Sequence, residues 1–174
     1  NTLIIDEVSM LSNEGKEKII KRFPNHKIIF CGDLGFQLPP IEGTEFQIGK
    51  LPVIKHTTNH RCKCLKLKKC LDLLRKRISS SPRDEMDFSK FTKLFDIDII
   101  SAEPRHAFTI HSIQGETATE KLFIDMNKMK SVRMLYTALS RAKYLNQIIL
   151  IRSKTIKKKK LTKHEIRRKQ NPSI

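Results

Sequence analysis

The chain has 174 residues, with 35 Lys and Arg against 18 Asp and Glu, a formal charge of +17 and a pI near 10.0. That length suits one ordinary domain or two small layers, and a hydrophobic content of 39% excludes wholesale disorder. No apolar run approaches the roughly 20 residues of a membrane span. The opening NTLIIDEV carries no secretory signal, and its first residue, Asn1, leads us to expect a piece of a longer protein. Four cysteines point to a reducing compartment and not to a disulfide scaffold. The charge is unevenly placed: −1 over residues 1–54, +8 over 55–77, +1 over 78–151 and +9 over 152–174. A polyanion, nucleic acid first, is the expected partner.

Thr2–Asp6 reads as a buried strand, Ser12–Arg22 as a helix ending before Pro24, and Lys27–Cys31 as a second buried strand. Gly35, Pro39, Pro40 and Gly43 break the loop that follows. Pro52–Thr57 reads as a weaker strand. From Cys62 to Ile78, Leu67, Leu71, Leu74 and Ile78 fall at helical spacing, with Lys66, Lys68, Lys69, Arg75 and Lys76 on the other face. Ile97–Ser101, Ala107–His111 and Lys121–Asp125 read as strands, Val132–Ala142 as a helix and Gln147–Ile151 as a final buried strand. Residues 152–174 read as a basic, disordered tail. Short apolar strands alternating with helices predict an α/β fold with a mostly parallel sheet.

Asp6-Glu7 closes the first strand, where open α/β sheets bind ligands. Asp6 suits Mg²⁺, held through water beside phosphates, and Glu7 suits the orienting or deprotonation of an attacking water. The loop GDLGFQLPPIEG (Gly32–Gly43) follows the next strand and offers the Gln37 amide, which both donates and accepts. Together LIIDEVSML and GDLGFQLPP resemble motifs II and III of superfamily 1 helicases, in the RecD-like 5′-to-3′ branch. TTNHR (Thr57–Arg61) resembles the motif IV region, AFTIHSIQGET (Ala107–Thr117) motif V, and RMLYTALSRA (Arg133–Ala142) motif VI. The motif V and VI strings resemble versions in large eukaryotic DNA viruses.

The resemblance implies a RecA-like core with an incomplete first domain at residues 1–56, a second domain at 57–151 and the tail at 152–174. It implies ATP and Mg²⁺ as cofactors, and an ATP-dependent DNA helicase serving replication, recombination or repair. In this reading Asp6, Glu7, Gln37 and Arg141 are catalytic. Arg61, Gly115 and Glu116 join them around the nucleotide, and Arg141 is an arginine finger. Thr109, His111 and Gln114 contact single-stranded or forked DNA or relay its presence to the ATP site. Many relatives have Lys-Ser where this chain has Ser112-Ile113, which removes one cationic contact. Tyr136 packs near the nucleotide or the DNA, or is a core tyrosine.

The family's phosphate loop, G-x-x-x-x-G-K-[ST], does not occur in the chain. The string from Gly43 to Leu51 has one residue too many, ends in Leu51 and lies after motif III. An N-terminal helicase portion is therefore an expected partner, and the chain by itself is expected to lack ATPase activity. The alternatives are a truncated nucleic-acid-binding module or a relative of RNA helicases. Cys62, Cys64 and Cys70 lack the paired C-x₂-C spacing of zinc sites, so no zinc is expected. Lys157, Lys158, Lys159 and Lys160 track phosphates, form an import signal, or belong to a solvated tail. The location expected is intracellular, in the nucleus or at a cytoplasmic viral replication site.

Overall fold

The computed structural model describes residues 1–80, 88–101 and 107–152. The order is β1 (Thr2–Ile5), α1 (Asn13–Arg22), β2 (Lys27–Phe30), α2 (Leu65–Ser80), α3 (Phe88–Phe95), β3 (Ile99–Ile100), β4 (Leu122–Asp125), α4 (Val132–Leu139) and β5 (Ile148–Ile151). Among the described residues every pairing between these strands is parallel. β1 lies beside β2 with Ile4 opposite Ile29, and the second sheet runs β3-β5-β4. The architecture is α/β with small open parallel sheets, because α1 joins β1 to β2 and α4 joins β4 to β5 where a hairpin would make them antiparallel. Among the described residues no helix is long and apolar enough to cross a membrane.

Local chemistry sets the helix ends. The Ser12 hydroxyl accepts from Gly15 N at 3.1 Å and starts α1, and Ser131 accepts from Met134 N at 3.1 Å and starts α4. Each satisfies an N–H that the first helical turn leaves unpaired. Gly15 sits where α1 crosses Leu11: a Cβ there would stand 2.7 Å from Leu11 Cδ1.

The main core lies against the second sheet. α2 contributes Leu67, Cys70, Leu71 and Leu74, and α4 contributes Leu135, Ala138 and Leu139. Ile148 and Leu150 of β5 and Ile124 of β4 complete it, with Phe91 and Phe95 of α3 stacked at 5.1 Å. Burying a side chain of this size is worth about 1.5–3 kcal/mol each, so α2, α4 and β5 form the stable centre of the chain.

The first sheet differs from the sequence reading. β1 and β2 were expected to be buried, yet Ile4 is 64% exposed and Ile29 37%. Their other face, with Leu3, Ile5, Ile28 and Phe30, is half-buried. Parallel strands are apolar on both faces because both are normally covered, and no described element packs on the Ile4 and Ile29 side.

Two further expectations are corrected. Pro52–Thr57 forms no strand and is exposed throughout, as Pro52 has no N–H for a ladder. Ala107–His111 is loop and turn instead of strand. The Thr109 hydroxyl accepts from Ser112 N at 3.1 Å, and Ser112 Oγ donates to Thr109 O at 2.9 Å. These local bonds compete with strand pairing.

Candidate functional site

The site is built where the ends of β1 and β2 meet the turn at residues 109–116 and the end of α4. Glu7 adopts a left-handed backbone, φ 50 and ψ 44, before a 3-10 turn at Val8–Met10. A non-glycine residue there is strained. The Asp6 carboxylate helps hold it by accepting from Glu7 N at 2.8 Å. The chain then closes on the next loop: Val8 N donates to Cys31 O at 3.0 Å. Gly32 is required there, since a Cβ would meet Val8 N at 2.9 Å.

This bend brings Glu7 to Gly115. A Cβ at Gly115 would lie 3.5 Å from Glu7 Oε1, and Gly115 itself has φ 90. Glu7 Oε2 is buried and has no hydrogen-bond partner within the protein. Nearby, Gln114 Nε2 donates to Ser9 Oγ at 2.7 Å in a buried bond. Two segments more than 100 positions apart are thus joined twice, by the Glu7–Gly115 contact and the Ser9–Gln114 hydrogen bond.

Arg141 follows α4 and is 2% exposed. Its Nε donates to Thr137 O at 3.1 Å and its Nη2 to Ser140 Oγ at 2.9 Å. Nη1 reaches Glu116 O at 3.3 Å. Burial lowers its pKa, the Arg61 charge lowers it further, and Glu7 opposes both. Arg61 donates to Ser140 O at 3.1 Å. Two guanidinium groups and one carboxylate are therefore concentrated at the end of α4, the arrangement that favours an anion needing two positive neighbours.

Gln37 is buried, and its Oε1 also lacks a partner within the protein, as does Oε1 of Gln114. Buried polar atoms are nearly always paired in proteins; the oxygens of Glu7, Gln37 and Gln114 are three of six unpaired ones among the described residues, the others being on Asn13, His26 and Thr137. The donor set fits a hydrated cation and phosphates: Asp6 is exposed, Glu7 offers a free oxygen, and Arg61 and Arg141 supply charge. Among the described residues no three His, Cys, Asp or Glu side chains converge to hold a metal alone. Asp6 would act on Mg²⁺ as one carboxylate beside phosphate oxygens.

The remaining predicted residues are placed as follows. Glu116 is exposed and is joined to Arg141 through its backbone oxygen. Thr109 is exposed with its hydroxyl engaged by Ser112 N. His111 is half-buried and lines a groove of about 600 Å³, together with Leu38, Pro39, Pro40, Lys130 and Arg133. Lys157, Lys158, Lys159 and Lys160 lie outside the described residues.

The sequence reading missed one cluster. Arg75 Nη2 donates to Asp33 Oδ2 at 2.6 Å, and Arg75 Nε donates to the Tyr136 hydroxyl at 2.8 Å. That hydroxyl donates to Asp33 Oδ2 at 2.7 Å. Arg75 also stacks over Phe36, 4.7 Å from the ring centroid. Burial works against the Arg75 charge, but Tyr136 and Asp33 outweigh it and raise its pKa. For Tyr136, burial first and then Asp33 push the phenol well above its usual range. Arg75 was expected on the solvent-facing basic side of α2, and it turns inward instead. Tyr136 is a core tyrosine, 3% exposed. The one available signal was Asp33 in the Gly32-Asp33 pair that ends the second strand's run.

Compared with protein-family models and with curated proteins, the chain matches none.

Proposed function

We propose that this chain is part of a RecA-like, ATP-dependent DNA helicase of the RecD-like branch, needing a phosphate loop supplied from outside the chain for turnover. The observation that carries the reading is the approach of Glu7 to Gly115, with the Ser9–Gln114 bond beside it. In the resemblance these residues belong to motifs II and V, which serve one nucleotide from two domains. Their strings are separated by about a hundred residues, and nothing in chain order demands that they meet.

In this mechanism Mg²⁺ neutralises phosphate charge when bound. Asp6 provides a carboxylate toward it. Glu7, with a buried and unpaired oxygen, orients the attacking water and takes its proton. Arg61 and Arg141 neutralise charge developing on the transferred phosphoryl group. Arg141 must exchange its bonds to Thr137 O and Ser140 Oγ for phosphate oxygens to do so. Gln37 offers a side-chain amide that can donate to phosphate and accept from water. Gln114, tied to Ser9, links the nucleotide side to His111 and the groove on the strand side.

The test joins this chain, in one polypeptide, to a phosphate-loop half from a RecD-like helicase. Single-stranded DNA should stimulate ATP hydrolysis, and Glu7→Gln should abolish turnover while nucleotide binding persists. Undiminished turnover in Glu7→Gln would remove the reading. The chain alone should show no stimulated ATPase.

A further inference from the structure

α2 carries six basic residues and one acidic residue, Asp72. Its cations are sorted onto two flanks. Arg75 turns to Asp33 and Tyr136. Lys66, Lys69 and Lys76 are exposed. At 100° per residue those three lysines share a sector about 80° wide, turned about 130° from the middle of the face bearing Leu67, Cys70, Leu71 and Leu74. They span about 15 Å along the helix axis. Lys66 touches Asp96 at 3.6 Å, with the Asp96 side chain 92% exposed. A contact so exposed is worth little and is readily exchanged for another anion.

The geometry points to a second nucleic-acid surface: Lys66, Lys69 and Lys76 form a phosphate-binding patch for duplex DNA, on the flank of α2 away from Arg75. A rigid helix fixes the spacing of the three lysines, and about 15 Å along its axis corresponds to roughly four to five base-pair steps of a duplex. α2 contains no aromatic residue, so it has no platform on which single-strand bases could stack. Backbone-directed binding to a duplex is what such a patch can do. This holds whether or not the chain belongs to a motor, because it uses none of the residues around Glu7.

The test is fluorescence anisotropy on the full chain with a blunt 20-base-pair duplex, titrated at several salt concentrations. Replacing Lys66, Lys69 and Lys76 together by Gln should weaken binding about tenfold or more at 0.1 M salt. It should also flatten the plot of log K against log salt by about 2 to 3 units. The matching triple Arg variant should retain both affinity and slope, and circular dichroism should show both variants folded. An unchanged slope in the Gln variant would overturn the proposal. So would lysine-dependent binding to phosphatidylserine vesicles in place of the duplex, or to poly-glutamate with equal affinity.

Discussion

Asp33 and Arg75 meet at 2.6 Å across 42 residues of sequence, and Tyr136 closes the triangle from α4. The triangle ties the loop that bears Gln37 to α2 and, through Tyr136, to α4, which Arg141 follows. It is half-shielded, with side-chain exposures of 26% for Asp33 and 39% for Arg75. The contact is thus stronger than an open surface pair, and its hydrogen bonds are charge-assisted.

Asp33→Asn and Arg75→Met should each destabilise the chain by about 1.5–3 kcal/mol. The double variant should lose less than the sum, with a coupling of about 0.5–3 kcal/mol. Urea unfolding of the four proteins measures this. Additive losses would mean that the two side chains act separately.

Ser9→Ala and Gln114→Ala remove opposite ends of the buried 2.7 Å bond. Each should cost about 1–3 kcal/mol, because one polar group is left buried without its partner. The joint variant should recover part of the loss, read as a melting temperature above that expected from the sum.

Gly115→Ala tests the backbone under Glu7. At φ 90 an added Cβ is strained, and the expected cost is about 1–2 kcal/mol. For a chain of this length that lowers the melting temperature by about 2–8 °C. A neutral result would mean that the turn relaxes.

Alkaline pH should unfold the chain through Cys70 and Tyr136. Burial pushes the Cys70 thiol up to about 12 from an ordinary value of 9.0, and burial likewise raises Tyr136 from 10.0. Both groups hold their protons more tightly folded than unfolded. Their contribution is complete below about pH 9 and is lost as pH climbs through the folded values. The stability slope from Cys70 approaches about −1.4 kcal/mol per pH unit between about pH 9 and 12. Cys70→Ala should flatten the decline over that interval, measured by urea unfolding at stepped pH. An unaltered slope would exclude Cys70 as a source.

Much of the element order was legible from apolar spacing: α1, α2, α4, β4 and β5 fall where period and breakers put them, because local patterns record which face meets the core. Ala107–His111 failed for a local reason, the hydroxyl bonds of Thr109 and Ser112. Arg75 failed for a nonlocal one, since its position on α2 does not reveal that Asp33 will stand opposite.

The sequence by itself determined the charge, the α/β alternation, the presence of Asp6, Glu7 and Arg141 just past element ends and of Gln37 in the loop after β2, all matters of residue type and short-range spacing. The tertiary structure alone decided that Glu7 lies against Gly115 and Ser9 against Gln114. It also decided that Arg141 is folded under α4 and that β1 shows one bare face. Those outcomes depend on how separate elements pack, and a pattern along the chain carries no record of which distant partner a polar group will find.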